Sequence, residues 1–297
     1  MARRKHLNRA RRHHYRPAFH LSHFVDGSGR VWVHDCTGHA RPFQQLPRNI
    51  AYEDWLYAPD QGPDPMSDEV EVWLATQVEA PAAAPLARAA EMRKPDNSER
   101  SSLALFIAVQ DMRTPKARDL IVGFYHAVAQ EQWDMWVRNP QILAEQMAHN
   151  SGTRFEPDTV ASLLRQFSYR ITKGAWLDFI RAFVHQTAER LHQMTWSVAP
   201  APNGTEFITS DLGIAKFSGS PLAPKPWAIG FEGNRDVWVF PLTPTAALVL
   251  APDAAVSAQP LPAAWPGLVN RQLAQDARRF LYSRNRQPAV QAMMGAV

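Results

Sequence analysis

Val237-Trp238-Val239-Phe240-Pro241-Leu242-Thr243-Pro244-Thr245-Ala246-Ala247-Leu248-Val249-Leu250-Ala251 consists of two apolar runs on either side of a Thr-Pro-Thr turn. It reads as a β-hairpin, residues 237–242 against 246–251. Upstream, residues 196–198 and 206–210 flank Asn203-Gly204, a dipeptide suited to a hairpin turn, which predicts a second pair. Between the two pairs lies a Gly- and Pro-rich stretch, residues 213–233, expected as a long loop of the kind that often carries function. The character changes at Trp196. From 67 to 194 the apolar residues recur at helical spacing, as in Trp176, Ile180, Phe183, Thr187, Leu191 and Met194.

Within that helical middle, residues 67–78 predict a helix with the stripe Val70, Leu74 and Val78, and Ala80-Pro81-Ala82-Ala83-Ala84-Pro85 reads as a kink or short linker. Asn97 or Ser98 is expected to cap a buried helix containing Leu103-Ala104-Leu105-Phe106-Ile107-Ala108-Val109, apolar almost all round. Thr114-Pro115 ends it and starts the next, with Thr114 as cap and Pro115 at the first helical position. Helices are also expected over 158–167 and 176–194, and a closing helix from 267 to about 282. Near the N-terminus, residues 20–25 and 30–35 read as strands joined at Asp26-Gly27-Ser28-Gly29. The fold class is α+β: an N-terminal β-hairpin, a helical middle layer, a C-terminal antiparallel sheet and a closing helix, without βαβ alternation.

With 45% hydrophobic and 20% charged residues among 297, the chain is in the ordinary globular range. A lone cysteine, Cys36, excludes an intramolecular disulfide and multi-cysteine zinc sites. No apolar run reaches signal-peptide or membrane-spanning length, so a cytoplasmic location and no membrane partner are expected. The net charge of +4 is uneven: Arg3, Arg4, Lys5, Arg9, Arg11, Arg12 and Arg16 precede any acid, which leaves the remainder net acidic by three. Residues 1–16 therefore read as a basic, flexible tail, either an arm for nucleic acid or an acidic partner or a solubilising terminus. Residues 17–297 read as one α+β domain with a helical sub-lobe at 67–194 and a sheet sub-lobe at 196–283. No repeat, phosphate loop, dinucleotide fingerprint, Gly-x-Ser-x-Gly elbow or His-Glu-x-x-His is present, so cofactor and metal remain unassigned.

Seven of eleven histidines lie within the first 39 residues: His6, His13, His14, His20, His23, His34 and His39. Such crowding can supply a metal site or an acid–base pair, although neighbours in an extended chain, such as His13 and His14, face apart. His13-His14-Tyr15-Arg16-Pro17 resembles the His-His-Tyr-Val-Pro opening of a widespread bacterial family of unknown function. The likeness continues through Arg30-Val31-Trp32-Val33-His34-Asp35, Pro47-Arg48-Asn49-Ile50-Ala51 and Phe106-Ile107-Ala108-Val109-Gln110 with Arg113-Thr114-Pro115. It extends to Phe207-Ile208-Thr209-Ser210-Asp211, Phe240-Pro241-Leu242-Thr243-Pro244, Asn270 and Leu281-Tyr282-Ser283. Two departures stand out: Arg16 in place of Val, and Leu212-Gly213 in place of an Asn-Pro turn. The resemblance implies no established chemistry.

The polar residues of these stretches are the candidate site. Gln110 and Arg113 share an edge of the buried helix, where Arg113 can hold a phosphate or carboxylate, or the two can cap helix carbonyls at the Pro115 corner; the capping reading is slightly favoured. Asp211 ends a strand and serves either as a catalytic acid or as an Asx-turn acceptor for Leu212 and Gly213. Ser210 is a weaker candidate, lacking a local base. With His13 or His14 as acid–base, Arg113 stabilising charge and Asp211 orienting the His or holding a metal, the set leans towards a hydrolase or transferase acting on a phosphate-bearing substrate, nucleic acid or nucleotide, and nuclease-like if an enzyme. A non-enzymatic module with a basic arm and a small-anion sensor stand as alternatives. Convergence of His13 or His14, Gln110, Arg113 and Asp211 on one concave surface is the expectation that separates them.

Overall fold

The computed structural model describes residues 10–60, 67–218, 223–224, 227–231, 233–252, 264–286 and 290. The fold is α+β, and every strand pairing among the described residues is antiparallel. The chain divides into two compact units, residues 1–117 with 180–297 and residues 118–179. The helical region read from sequence as 67–194 is thus shared between them.

The larger unit contains three sheets. The short strand β1 (Arg12–His14) pairs with β4 (Tyr52–Asp54), and this two-stranded sheet supplies the N-terminal β element. Residues 20–25, expected as a strand, are helical instead: α1 (Ala18–Leu21) runs into a 3-10 turn, Ser22–Phe24. Pro17 accounts for the change, since its carbonyl accepts the amides of His20 and Leu21 and closes a helical turn. The predicted turn after it does form, with Asp26 Oδ1 accepting from the amide and hydroxyl of Ser28. The strand that follows, β2 (Val31–Asp35), pairs with β3 (Phe43–Gln45) and β11 (Phe280–Ser283), and β11 pairs with β6 (Thr209–Ser210).

The third sheet has five strands in the order β5 (Thr195–Pro200), β10 (Ala246–Ala251), β9 (Asp236–Thr243), β7 (Ala215–Ser218) and β8 (Ala223–Pro224). The 237–251 hairpin is present as β9 and β10, with a bulge where Ala246 faces Thr243 and Ala247 faces Pro241. Pro241 has no ladder N–H to give, and a bulge is where a strand tolerates that. Asn203-Gly204 does make a turn, but its flanks diverge: β5 joins β10 while β6 joins β11. Part of the expected 213–233 loop is β7, an inner strand of this sheet, while residues 219–222, 225–226 and 232 lie outside the described residues.

β9 is buried on both faces. Val237 and Val239 join Phe217, Val249 and Leu281 in a core closed by Trp265, Val269 and Leu273 of the helix α9 (Trp265–Asp276). Trp238 and Phe240 face the other way, and the Phe240 ring meets Phe106 edge-on at 5.9 Å. Phe106 belongs to α4 (Asn97–Met112), whose N-terminus is a capping box of Asp96 and Glu99, with the cap one residue before the Asn97 expected. The closing helix stops at Asp276, short of 282, and Tyr282 is a strand residue.

Ahead of α4, α2 (Glu69–Trp73) passes through a π-helical turn (Leu74–Glu79) into α3 (Ala80–Ala90). The Ala-Pro stretch is therefore helix and not a linker. The wide turn falls just before Pro81, where the ring and missing N–H of a proline are hardest to fit into a regular helix. Thr114 Oγ1 accepts from Ala117 N at 3.2 Å and starts α5 (Pro115–Arg138), as its sequence predicts.

The smaller unit comprises most of α5, then α6 (Pro140–Ser151), α7 (Pro157–Gln166) and the beginning of α8 (Gly174–Gln193). Inside it, the Tyr169 hydroxyl donates to Gln130 Oε1 at 2.6 Å, and its ring packs on His126 and Trp133. Among the described residues no helix is long and apolar enough to cross a membrane.

Candidate functional site

Ordered structure reaches further into the basic stretch than the sequence suggests. Arg12–His14 are sheet, and Arg16 is fully buried. Pairing in β1 points His13 and His14 to opposite sides. His13 is buried, its Nδ1 accepting the amide of Tyr57 at 3.0 Å and its Nε2 donating to Ala10 O at 2.9 Å, with the ring stacked on Tyr57. Both ring nitrogens are committed, which makes it a neutral structural imidazole. His14 is half-buried, with Nε2 donating to Arg48 O at 3.3 Å and its ring edge on Tyr52. Burial lowers its pKa, and the nearby Arg113 lowers it further.

Arg113 closes the end of α4. Its Nε donates to Tyr15 O at 3.1 Å and one terminal nitrogen to Glu79 Oε1 at 2.8 Å, while its own carbonyl accepts from the Tyr57 hydroxyl. Arg113 therefore ties α4 to the N-terminal segment and to the π-helical turn, bonding Tyr15 and Glu79 and not the carbonyls of its own helix. Beside it, burial pushes the Glu71 carboxyl up to about 7, against the pull of Arg113. Gln110 faces a different partner: its Oε1 accepts from Arg16 at 3.0 Å.

Arg16 also donates to Leu212 O at 3.4 Å and to His20 Nδ1 at 3.0 Å, and His20 Nε2 in turn donates to Pro241 O at 2.8 Å. These acceptors are all neutral. Desolvation accordingly lowers the Arg16 pKa to about 9, with the Arg113 charge adding to the shift.

Ser210 Oγ accepts the amides of Leu212 at 3.3 Å and Gly213 at 3.0 Å, one of the two roles that the sequence offered for Asp211. The Asp211 carboxylate instead spans to a distant segment, accepting the amides of Arg278 at 3.0 Å, Arg279 at 2.6 Å and Phe280 at 3.0 Å. It takes the N–H groups of the residues that lead from α9 into β11 and so aims the chain into that strand. Burial raises its pKa, and the three amides oppose that. Asp211→Ala is expected to lower stability by about 1–3 kcal/mol, the cost of leaving three partly buried amides without their acceptor. Denaturant unfolding measures this, and a loss below about 0.5 kcal/mol would rule out the clip.

The candidates thus fall into three groups: His14 with Arg113 and Glu79, Gln110 with Arg16, and Asp211 with Ser210. Of these, Asp211 lines a cleft of about 210 Å³, walled by Tyr15, Tyr52, Glu53, Lys116, Arg278 and Arg279; His13, His14, Gln110, Arg113 and Ser210 are not among its lining residues. Lys116 donates to Asp276 O at 2.5 Å and lies 5.2 Å from the Trp227 ring. Arg278 meets Glu53 at 3.3 Å, and Arg279 meets Asp35 at 3.1 Å. The cationic residues of this wall were missed in sequence. The doublet Arg278-Arg279, separated by Phe280 alone from the motif Leu281-Tyr282-Ser283, was the available signal.

Among the described residues, no group of three His, Cys, Asp or Glu side chains is placed to hold a metal ion. The crowded N-terminal histidines disperse: His20 binds Arg16, His34 binds Ser283 and His39 binds Thr37. Comparison with curated proteins and with solved structures yields no match. The sequence does match, over residues 12–287, the family described as a protein of unknown function (DUF4238), and the chain belongs to that family.

Proposed function

We propose that this chain binds a phosphate-bearing ligand, nucleotide or nucleic acid, in the cleft beside Asp211. The observation that carries the reading is the convergence of Lys116, Arg278 and Arg279, from two distant parts of the sequence, on one small concavity. Guanidinium and ammonium groups are the side chains that hold phosphate best. Arg278 is paired with Glu53 and Arg279 with Asp35, so a phosphate binds by adding to or exchanging with these ion pairs, while the Asp211 oxygens face three amides. Buried Arg16, whose hydrogen-bond acceptors are all neutral, adds positive charge near Asp211.

A hydrolase or transferase is the narrower form of this reading, with Glu53 as the carboxyl at hand in place of the tail histidines. Titration calorimetry with inorganic phosphate and with AMP tests the binding. The Lys116→Gln/Arg279→Gln double variant is expected to weaken it at least about tenfold, as loss of two charge-assisted contacts requires. Absence of binding to the wild-type protein, or equal binding by the double variant, would overturn the proposal. Release of phosphate from nucleotides, abolished by Glu53→Gln, would select the enzymatic form.

A further inference from the structure

The small cleft is not isolated. Tyr52 and Glu53 line it, and the same two residues line a wider groove of about 800 Å³ whose other residues include Arg11, Arg12 and Asp54. The two depressions therefore share a rim at Tyr52 and Glu53 of β4. Cations continue across it. Arg12 is exposed, its guanidinium 4.8 Å over the Tyr52 ring, and exposed Arg11 pairs with Asp54 at 2.8 Å. Around the two depressions, Arg11, Arg12, Lys116, Arg278 and Arg279 outnumber Glu53, Asp54 and Asp211. Glu53 and Asp54 already sit in exposed ion pairs, which are worth little and exchange readily for phosphate.

A mononucleotide has no use for the groove. A chain of phosphates does, and Tyr52 with Arg12 stacked on it offers the flat, cationic surface on which an unpaired base rests. A cleft of about 210 Å³ suits a chain terminus and is too small for the two strands of a duplex end. Resting on the reading of the cleft as a phosphate site, we propose that the ligand is a single-stranded nucleic acid. Its terminal phosphate sits between Lys116 and Arg279, and its following nucleotides cross Tyr52 into the groove of Arg11 and Arg12. An acidic peptide would satisfy the charges but not the aromatic face.

Fluorescence anisotropy with 12-nucleotide single strands, labelled at one end and carrying phosphate or hydroxyl at the other, tests this on the full chain. The strand is expected to bind at least about tenfold more tightly than AMP, with removal of its terminal phosphate weakening it several-fold. Arg11→Gln/Arg12→Gln should reduce the slope of log affinity against log salt by about 1.5. Both positions are exposed, and circular dichroism checks that the variant folds. If AMP binds as tightly as the strand and the arginine pair has no effect, this inference falls while the phosphate cleft stands. Strand binding indifferent to the terminal phosphate, alongside no binding of AMP or phosphate, would overturn the cleft reading and the end-on seating with it. Equal binding of duplex, or equal competition by polyglutamate, would also overturn the assignment to single strands.

Discussion

Replacing Asp111 with Ala is expected to lower stability by about 3–5 kcal/mol, the range for removing one partner of a buried ion pair. Asp111 lies on α4, out of contact with water, and its carboxylate meets Lys216 Nζ at 2.8 Å, Trp227 Nε1 at 3.2 Å and the Gly230 amide at 2.7 Å. Lys216, on β7, is fully buried, gives its other protons to Ala228 O and Gly230 O, and lies 4.0 Å from the Trp238 ring. This one pair joins α4, the five-stranded sheet and the 227–230 segment. Without the carboxylate a buried ammonium loses its counter-charge, and two further donors lose their acceptor. The measurement is a double-mutant cycle by urea unfolding: Asp111→Leu/Lys216→Met should be less destabilised than the sum of the two single variants. A cost of Asp111→Ala below about 1 kcal/mol would show that the charge finds compensation elsewhere.

Gly213→Ala is the second large effect, expected at about 2–4 kcal/mol from backbone strain and a displaced guanidinium. Gly213 has φ +71°, and a Cβ built there would lie 2.2 Å from Arg16 Cζ. A surface arginine would swing aside. Arg16 is held by Gln110, His20 and the Leu212 carbonyl in a fully buried setting, so the guanidinium moves only by breaking those bonds. In an Arg16→Met background the clash disappears and only the left-handed backbone cost of about 1 kcal/mol should remain. Equal costs in both backgrounds would show that the contact with Arg16 is immaterial. The two positions where the sequence departs from the motifs it resembles, Arg16 and Leu212-Gly213, are in contact in the fold. A large side chain at one fills the space left by a missing Cβ at the other.

Neither departure signals the other in the sequence, because 196 residues separate Arg16 from the carbonyl of Leu212 that it binds. The same holds for the cleft. Lys116 follows a proline at a helix start, and Arg278 and Arg279 follow a helix end, local settings in which a basic residue is unremarkable. They meet because Asp211 gathers the amides of 278–280 and β11 then enters a sheet with β2 and β6. His13 illustrates the reverse: conspicuous in sequence, it is spent on the Tyr57 amide and the Ala10 carbonyl.

What the sequence alone determined is what depends on neighbours within a few residues. The Thr114-Pro115 corner, the hairpin of 237–251, the buried apolar helix of 97–112 and the α+β class all follow from proline sterics, turn chemistry and apolar period. Tertiary structure decided the rest. Residues 20–24 are helical where strand was expected, 280–282 are strand where helix was expected, and β7 is an inner strand where a loop was expected. Each of these segments is short, and its conformation depends on partners distant in sequence: His20 on Pro241, Tyr282 on Val33, Lys216 on Asp111. A few residues carry too little intrinsic preference to outweigh one buried hydrogen bond or a strand partner, so the surrounding fold settles them.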